Sequence, residues 1–183
     1  MSNFSKLISL RDVLSGCWLQ YCIVKKPASF PNYVSYSDLD IICENRESMC
    51  QFILNKLKHR EDIEIRVNRN DAEGFTHVDV HRPGFHRLDI KFDLVDSLHV
   101  GYKKTNVTES LTSKILENRI ELDGFYFPSV VYEMVVRMLE YREYIQARPD
   151  KIKHLNYVKE NLENNPDFNE VWDLYVQEDC FNE

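Results

Sequence analysis

The sequence predicts an α+β fold, a mixed head followed by a helical tail, and three observations carry that expectation. Between Ile63 and Val95 the hydrophobic period is 2, in three runs: Ile63–Val67, Phe75–His81 and Arg87–Val95. Just before them, Arg46–His59 has Met49, Phe52, Ile53 and Leu57 at helical spacing. From Thr108 onward every strong pattern has the helical period.

In order along the chain, Phe4–Ser15 reads as a first helix, with Phe4, Leu7, Ile8 and Leu14 broadly on one side. Trp18–Val24 is apolar, aromatic and partly β-branched, which suits a strand. Two prolines and several turn formers make Lys25–Asn32 a loop, and Asp38–Cys43 is a short strand. After the Arg46–His59 helix come the three alternating runs, with Arg82-Pro83-Gly84-Phe85 as a hairpin signal between the last two. Thr108–Arg119 is a short helix that ends before Asp123-Gly124. Ser129 caps a longer one, with Val131, Met134, Val135, Met138 and Ile145 inward. Pro149-Asp150 breaks it, and helices near Lys151–Glu163 and Asp167–Gln177 follow.

Composition excludes several classes. The chain has 183 residues, 43% hydrophobic, with 5 Gly and 6 Pro, so a sizeable core is expected and low-complexity or collagen-like readings are out. No apolar run approaches the ~18–20 residues that cross a bilayer. Met1-Ser2-Asn3-Phe4-Ser5-Lys6 does not read as a secretory leader, so a cytoplasmic protein without a membrane partner is expected. Net charge is −7, but Glu160–Glu183 holds eight acidic residues and no Lys or Arg, so the remainder sums to +1. A near-neutral body argues against long nucleic acid as a partner. Cys17, Cys22, Cys43, Cys50 and Cys180 contain no C-x-x-C pair and read as reduced, structural thiols.

The most informative stretch is Tyr36-Ser37-Asp38-Leu39-Asp40-Ile41-Ile42. On a strand, Asp38 and Asp40 project one way while Leu39 and Ile41 go to the core. Two adjacent carboxylates repel unless a cation sits between them, and Mg²⁺ takes one or two carboxylates plus substrate phosphates. The bland alternative is a solvated acidic strand face. A second strand, Arg87-Leu88-Asp89-Ile90-Lys91-Phe92-Asp93-Leu94, places Asp89, Lys91 and Asp93 on one face. If it neighbours the D-x-D strand, Asp89 or Asp93 supplies a third ligand, completing a two-metal clamp for phosphoryl transfer. The two lie roughly 13 Å apart at ~3.3 Å per residue, so both cannot serve one cluster. Asp89 is the expected third carboxylate, with Asp79 and Asp93 as alternatives. His77-x-Asp79-x-His81, with His86 beyond the turn, offers ligands a zinc ion accepts, but spacing fixes no fourth ligand and a polar strand face is the expected reading.

Helix, strand, loop, Ser37-Asp38-Leu39-Asp40, helix, then a strand with a single Asp resembles the polymerase beta-type nucleotidyltransferase superfamily, and most of all its small bacterial-type branch. The resemblance covers roughly residues 5–95. It implies a nucleotidyltransferase-like head over 1–105, with a small mixed or antiparallel sheet flanked by helices, and a C-terminal helical lobe over 106–183. It also implies transfer of a nucleoside monophosphate from an NTP to a small acceptor, with release of pyrophosphate. Asp38, Asp40 and Asp89 would be catalytic and would hold Mg²⁺ or Mn²⁺, with Asp89 also helping to deprotonate the acceptor. Lys25, Lys26 and Ser37 would face the phosphates. That family usually has Gly-Ser or Gly-Gly after the first strand, whereas this chain has Lys25-Lys26-Pro27, with Ser29 and Ser35 further on. The departure leaves a second expectation open, a catalytically degenerate module that binds nucleotide or a protein partner. Tyr132, Tyr141, Tyr144 and Tyr157 are candidates for stacking on a base or sugar, and Arg137, Arg142, Lys151 and Lys153 for the acceptor side.

Overall fold

The computed structural model describes residues 7–84 and 87–177. Its centre is a five-stranded mixed sheet in the order β1-β2-β5-β4-β3, made of β1 (Tyr21–Ile23), β2 (Ser37–Cys43), β3 (Glu64–Asn70), β4 (Phe75–His81) and β5 (Leu88–Val95). Most neighbours run antiparallel, but β2 and β5 are parallel. Their register sets Asp38 opposite Lys91 and Asp40 opposite Asp93. This is the α+β head the alternating runs predict.

One face of the sheet is the core. Leu39 and Ile41 of β2, Val78 and Val80 of β4, and Ile90, Phe92 and Leu94 of β5 are buried there. They pack against α2 (Arg46–Leu57) through Met49, Cys50 and Ile53, and against the short α1 (Leu10–Leu14). The first helix is shorter than expected, with Ser9 Oγ accepting from the Asp12 N–H to start it. Residues 1–6, which the expected helix included from Phe4, lie outside the described residues. So do Phe85 and His86 of the β4–β5 turn, and Cys180 with the acidic stretch beyond 177.

A second apolar cluster joins the sheet to the C-terminal lobe. Cys22, Val24 and Ile42 pack with residues of α4 (Ser110–Glu117), α5 (Val130–Tyr144), α6 (Ile152–Leu162) and α7 (Phe168–Tyr175). A single turn of helix, α3 (Leu98–Gly101), follows the sheet, and β6 (Asn106–Val107) pairs antiparallel with β9 (Val176–Gln177), which follows α7.

The stretch after residue 106 is not wholly helical. Arg119–Leu122 and Phe125–Pro128 form an antiparallel hairpin, β7 and β8, around Asp123 and Gly124. Both turn residues have positive φ, 54° and 79°, the conformation a tight two-residue hairpin requires. Asp-Gly is therefore a strand reversal here and not the stop after a helix that the helical period predicts. The hairpin leans on β1: the Tyr21 and Tyr126 rings meet edge to face, and Phe30 packs edge-on to Phe125 and Phe127.

Candidate active site

The sheet face opposite α2 carries two polar rows that follow from the register. One runs Asp38–Lys91–Asp79–Arg66 across β2, β5, β4 and β3, alternating in charge. The other runs Asp40–Asp93–His77–Asn68 and sets two carboxylates side by side. Like charges directly opposite one another destabilise a sheet unless a counter-charge is at hand. Here the counter-charges are ammonium groups. Lys91 Nζ lies 2.9 Å from Asp93 and 3.6 Å from Asp38, and Lys25 Nζ lies 3.1 Å from Asp40. His77 Nε2 stands 3.3 Å from the other Asp93 oxygen, its ring stacked on Phe75.

The expectation that Asp89 sits beside Asp38 and Asp40 is not met. Asp89 falls at a bulge, skipped between the Val80–Ile90 and His81–Leu88 pairs, and the register carries it past the N-terminal end of β2. There it is 1% exposed and tied to other parts of the chain. Its carboxylate accepts from Tyr33 Oη, from Ser35 Oγ at 3.3 Å and from the Leu7 N–H at 3.3 Å. Tyr33 Oη in turn accepts from the Ile8 N–H. Asp89 is thus a buried anchor for the β1–β2 loop, and Asp93 occupies the position opposite Asp40. Asp79 faces Lys91 and is separated from the D-x-D strand by β5.

Of the three phosphate-side candidates, two reach the open cleft and one does not. Ser37 Oγ donates to the Val34 carbonyl and accepts from the Val34 N–H, closing a turn, and it does not line the cleft. Lys26 is exposed, with its ammonium 5.1 Å from the centre of the Phe127 ring. Lys25 is placed by backbone as well as charge. The Val24 N–H donates to the Asp40 carbonyl, and the chain then turns at Lys25 with φ 54°. That left-handed conformation favours glycine and costs a residue with a Cβ about 1 kcal/mol or more. The Lys25 N–H donates to Glu133 at 2.9 Å, and its Nζ also meets Glu140 at 3.0 Å.

Helix α5 supplies the opposite wall. Glu133, Arg137, Glu140 and Tyr144 recur every three or four residues, so they share one stripe. Arg137 pairs with Glu133 at 2.6 Å, and Lys151 pairs with Glu140 at 2.7 Å. Burial opposes the charge of Glu140, but Lys25 and Lys151 outweigh it and bring its pKa down to about 2. Burial likewise works against the Lys25 ammonium, and Asp40 and Glu140 more than offset it, so its pKa is raised. On Asp93 burial prevails over the pull of Lys91, and its carboxyl stands above the usual range. His154, 3% exposed, is pushed down to about 4 by burial and by Lys151. Its Nδ1 lies 3.4 Å from Arg137 Nη1. Arginine only donates, so the neutral ring accepts at Nδ1 and carries its proton on Nε2.

Most of these groups, Glu133 and His77 excepted, line a cleft of ≈ 600 Å³ between sheet and lobe. Seven Lys and Arg side chains face four carboxylates in it, so the cleft is net positive in a chain of net charge −7. Of the residues expected on the acceptor side, Arg137, Lys151 and Lys153 are in it, with Tyr144, while Arg142 lies over Trp172 instead. Sequence reading missed Glu133, Glu140, Arg148 and His154, although the three-and-four spacing along α5 was visible. Tyr132 meets Tyr175, away from the cleft.

The all-oxygen donor set of Asp38, Asp40 and Asp93 suits a hard dication such as Mg²⁺. In the structure, however, the carboxylates are held by ammonium groups. Among the described residues no three His, Cys, Asp or Glu side chains gather as a metal cluster. The His77-x-Asp79-x-His81 strand likewise forms no such cluster. No family model, no curated protein and no solved structure matches the chain.

Proposed function

We propose that the cleft is the active site of a metal-dependent nucleotidyltransferase, which moves a nucleoside monophosphate from an NTP to a small acceptor and releases pyrophosphate. The observation that carries the reading is the pairing of Asp40 with Asp93 across parallel strands, beside Asp38, at the floor of a basic cleft. Asp38, Asp40 and Asp93 are the residues that would hold Mg²⁺ or Mn²⁺, with Asp93 taking the part first expected of Asp89. The chemistry such an ion supplies is neutralisation of the attacking and leaving oxygens in an in-line displacement. Lys26, Arg148 and Lys151 bring the positive charge that a triphosphate needs. Four described cysteines are free thiols, in keeping with work in the reducing cytoplasm. No helix among the described residues is long and apolar enough to cross a membrane.

A specific observation favours a second reading, a degenerate nucleotide-binding module. Lys25 and Lys91 already make ion pairs with the three carboxylates, and the Gly-Ser turn is replaced by Lys25-Lys26-Pro27. Thermal melting with each of the four NTPs at millimolar concentration, with and without Mg²⁺, separates the two. A transferase gains several degrees from one Mg²⁺–NTP pair, because a ligand of the native state stabilises it by mass action. Asp40→Asn and Asp93→Asn each lose that gain and all pyrophosphate release. A shift that ignores Mg²⁺ and both substitutions supports the module, and no shift with any NTP sinks both readings.

A further inference from the structure

A second, smaller cavity of ≈ 180 Å³ adjoins the cleft, and its character is the opposite. Its walls are mostly apolar, Ile120 and Leu122 of β7, Phe127 of β8, Val130 of α5 and Tyr157 of α6, with Glu133, paired to Arg137, as its one carboxylate. Lys26 and Arg137 line both cavities and so form the boundary between them. Ile120 is 49% exposed, Leu122 48% and Val130 38%. Three exposed aliphatic side chains around one cavity, beside a charged cleft, are the surface signature of a binding site. The boundary cations also lean over its rings, Arg137 at 4.2 Å from the centre of Tyr157 and Lys26 at 5.1 Å from that of Phe127.

We infer that this annex takes the flat, uncharged ring of a ligand whose phosphates lie in the basic cleft; in the nucleotidyltransferase reading, on which the inference rests, that ring is the nucleobase. Size supports a part of a ligand and not a whole one, since pockets that hold a complete small molecule run to about 300–1,000 Å³. Continuity supports the same ligand for both cavities, because the two side chains at the boundary can meet an anion on one side and a ring on the other. Aromatic and aliphatic walls bind a ring by burial and stacking.

The test compares inorganic tripolyphosphate with ATP, GTP, CTP and UTP by calorimetry at fixed Mg²⁺. At least one NTP is expected to bind tenfold or more tightly than tripolyphosphate. Ile120→Gln and Leu122→Gln keep the charge of the region, and both side chains are about half exposed, so the fold is spared. Each is expected to bring the favoured NTP down toward the affinity of tripolyphosphate, which itself stays unchanged. Equal binding of tripolyphosphate and all four NTPs overturns the annex and leaves the polyphosphate cleft standing. A preference that survives both substitutions also overturns it, because the ring is then held elsewhere. Absence of binding by tripolyphosphate and NTPs alike overturns the nucleotide reading and the annex with it.

Discussion

Lys25 shows how one residue combines a backbone constraint with a charge. Its left-handed φ is the conformation that glycine adopts without cost, so the turn after β1 keeps a glycine-like path. The side chain added at that position delivers an ammonium between Asp40 and Glu140. A dication at Asp40 would therefore compete with a cation already present. Lys25→Met is expected to tighten Mn²⁺ binding several-fold, measured by electron paramagnetic resonance titration. The same variant should weaken tripolyphosphate binding, because the cleft loses a positive charge. Unchanged Mn²⁺ affinity would show that Lys25 does not guard Asp40. The D-x-D pair and Lys25-Lys26 were legible in the sequence as types and order. The ion pair was not, since Glu140 lies more than a hundred residues away from Lys25.

At the scale of elements, the informative comparison is between Asp89 and Asp93 on β5. Alternation predicts both on one face, but a bulge falls at Asp89, between the Val80–Ile90 and His81–Leu88 pairs, and the parallel pairing with β2 sets Asp93 opposite Asp40. Strand period is a local property fixed by the pleat, whereas register is set by the packing of β5 between β2 and β4. Asp89 consequently belongs to the fold. Asp89→Ala leaves the Tyr33 hydroxyl and the Leu7 N–H without their acceptor in a buried setting, a loss of about 3 kcal/mol. Urea unfolding should show that destabilisation, while tripolyphosphate binding in the folded variant stays normal. A variant with full stability and lost binding would return Asp89 to the site. The β7–β8 hairpin makes the same point about turns. Asp123-Gly124 between Ile120, Leu122 and Phe125, Phe127 is a hairpin signature, legible once a period of 2 is tested beyond residue 106.

At the scale of the whole molecule, charge is distributed against the net balance, and the boundary of head and lobe concentrates it. His154 and Glu140 both sit there with pKa values below their ordinary range. A histidine depressed to about 4 is neutral in the folded state, while the unfolded chain takes up its proton near pH 6.5. The stability it contributes is present above pH 6.5 and is lost as pH falls toward 4. Glu140 adds a second loss below its unfolded value of about 4.5, down toward 2. Melting temperature should therefore decline from pH 6.5 downward. His154→Gln, which keeps an amide in place of the neutral ring, should flatten the decline between pH 6.5 and 4.5 alone. An unaltered profile would place the acid sensitivity on other groups. By itself the sequence determined the α+β class, the buried faces of β2, β4 and β5, and the D-x-D pair, because hydrophobic period and side-chain alternation are written locally. The tertiary structure decided the third carboxylate, the lysine counter-charges, the α5 wall and the apolar annex. Each of these depends on strand register or on contacts between distant segments, and only the packed chain fixes those.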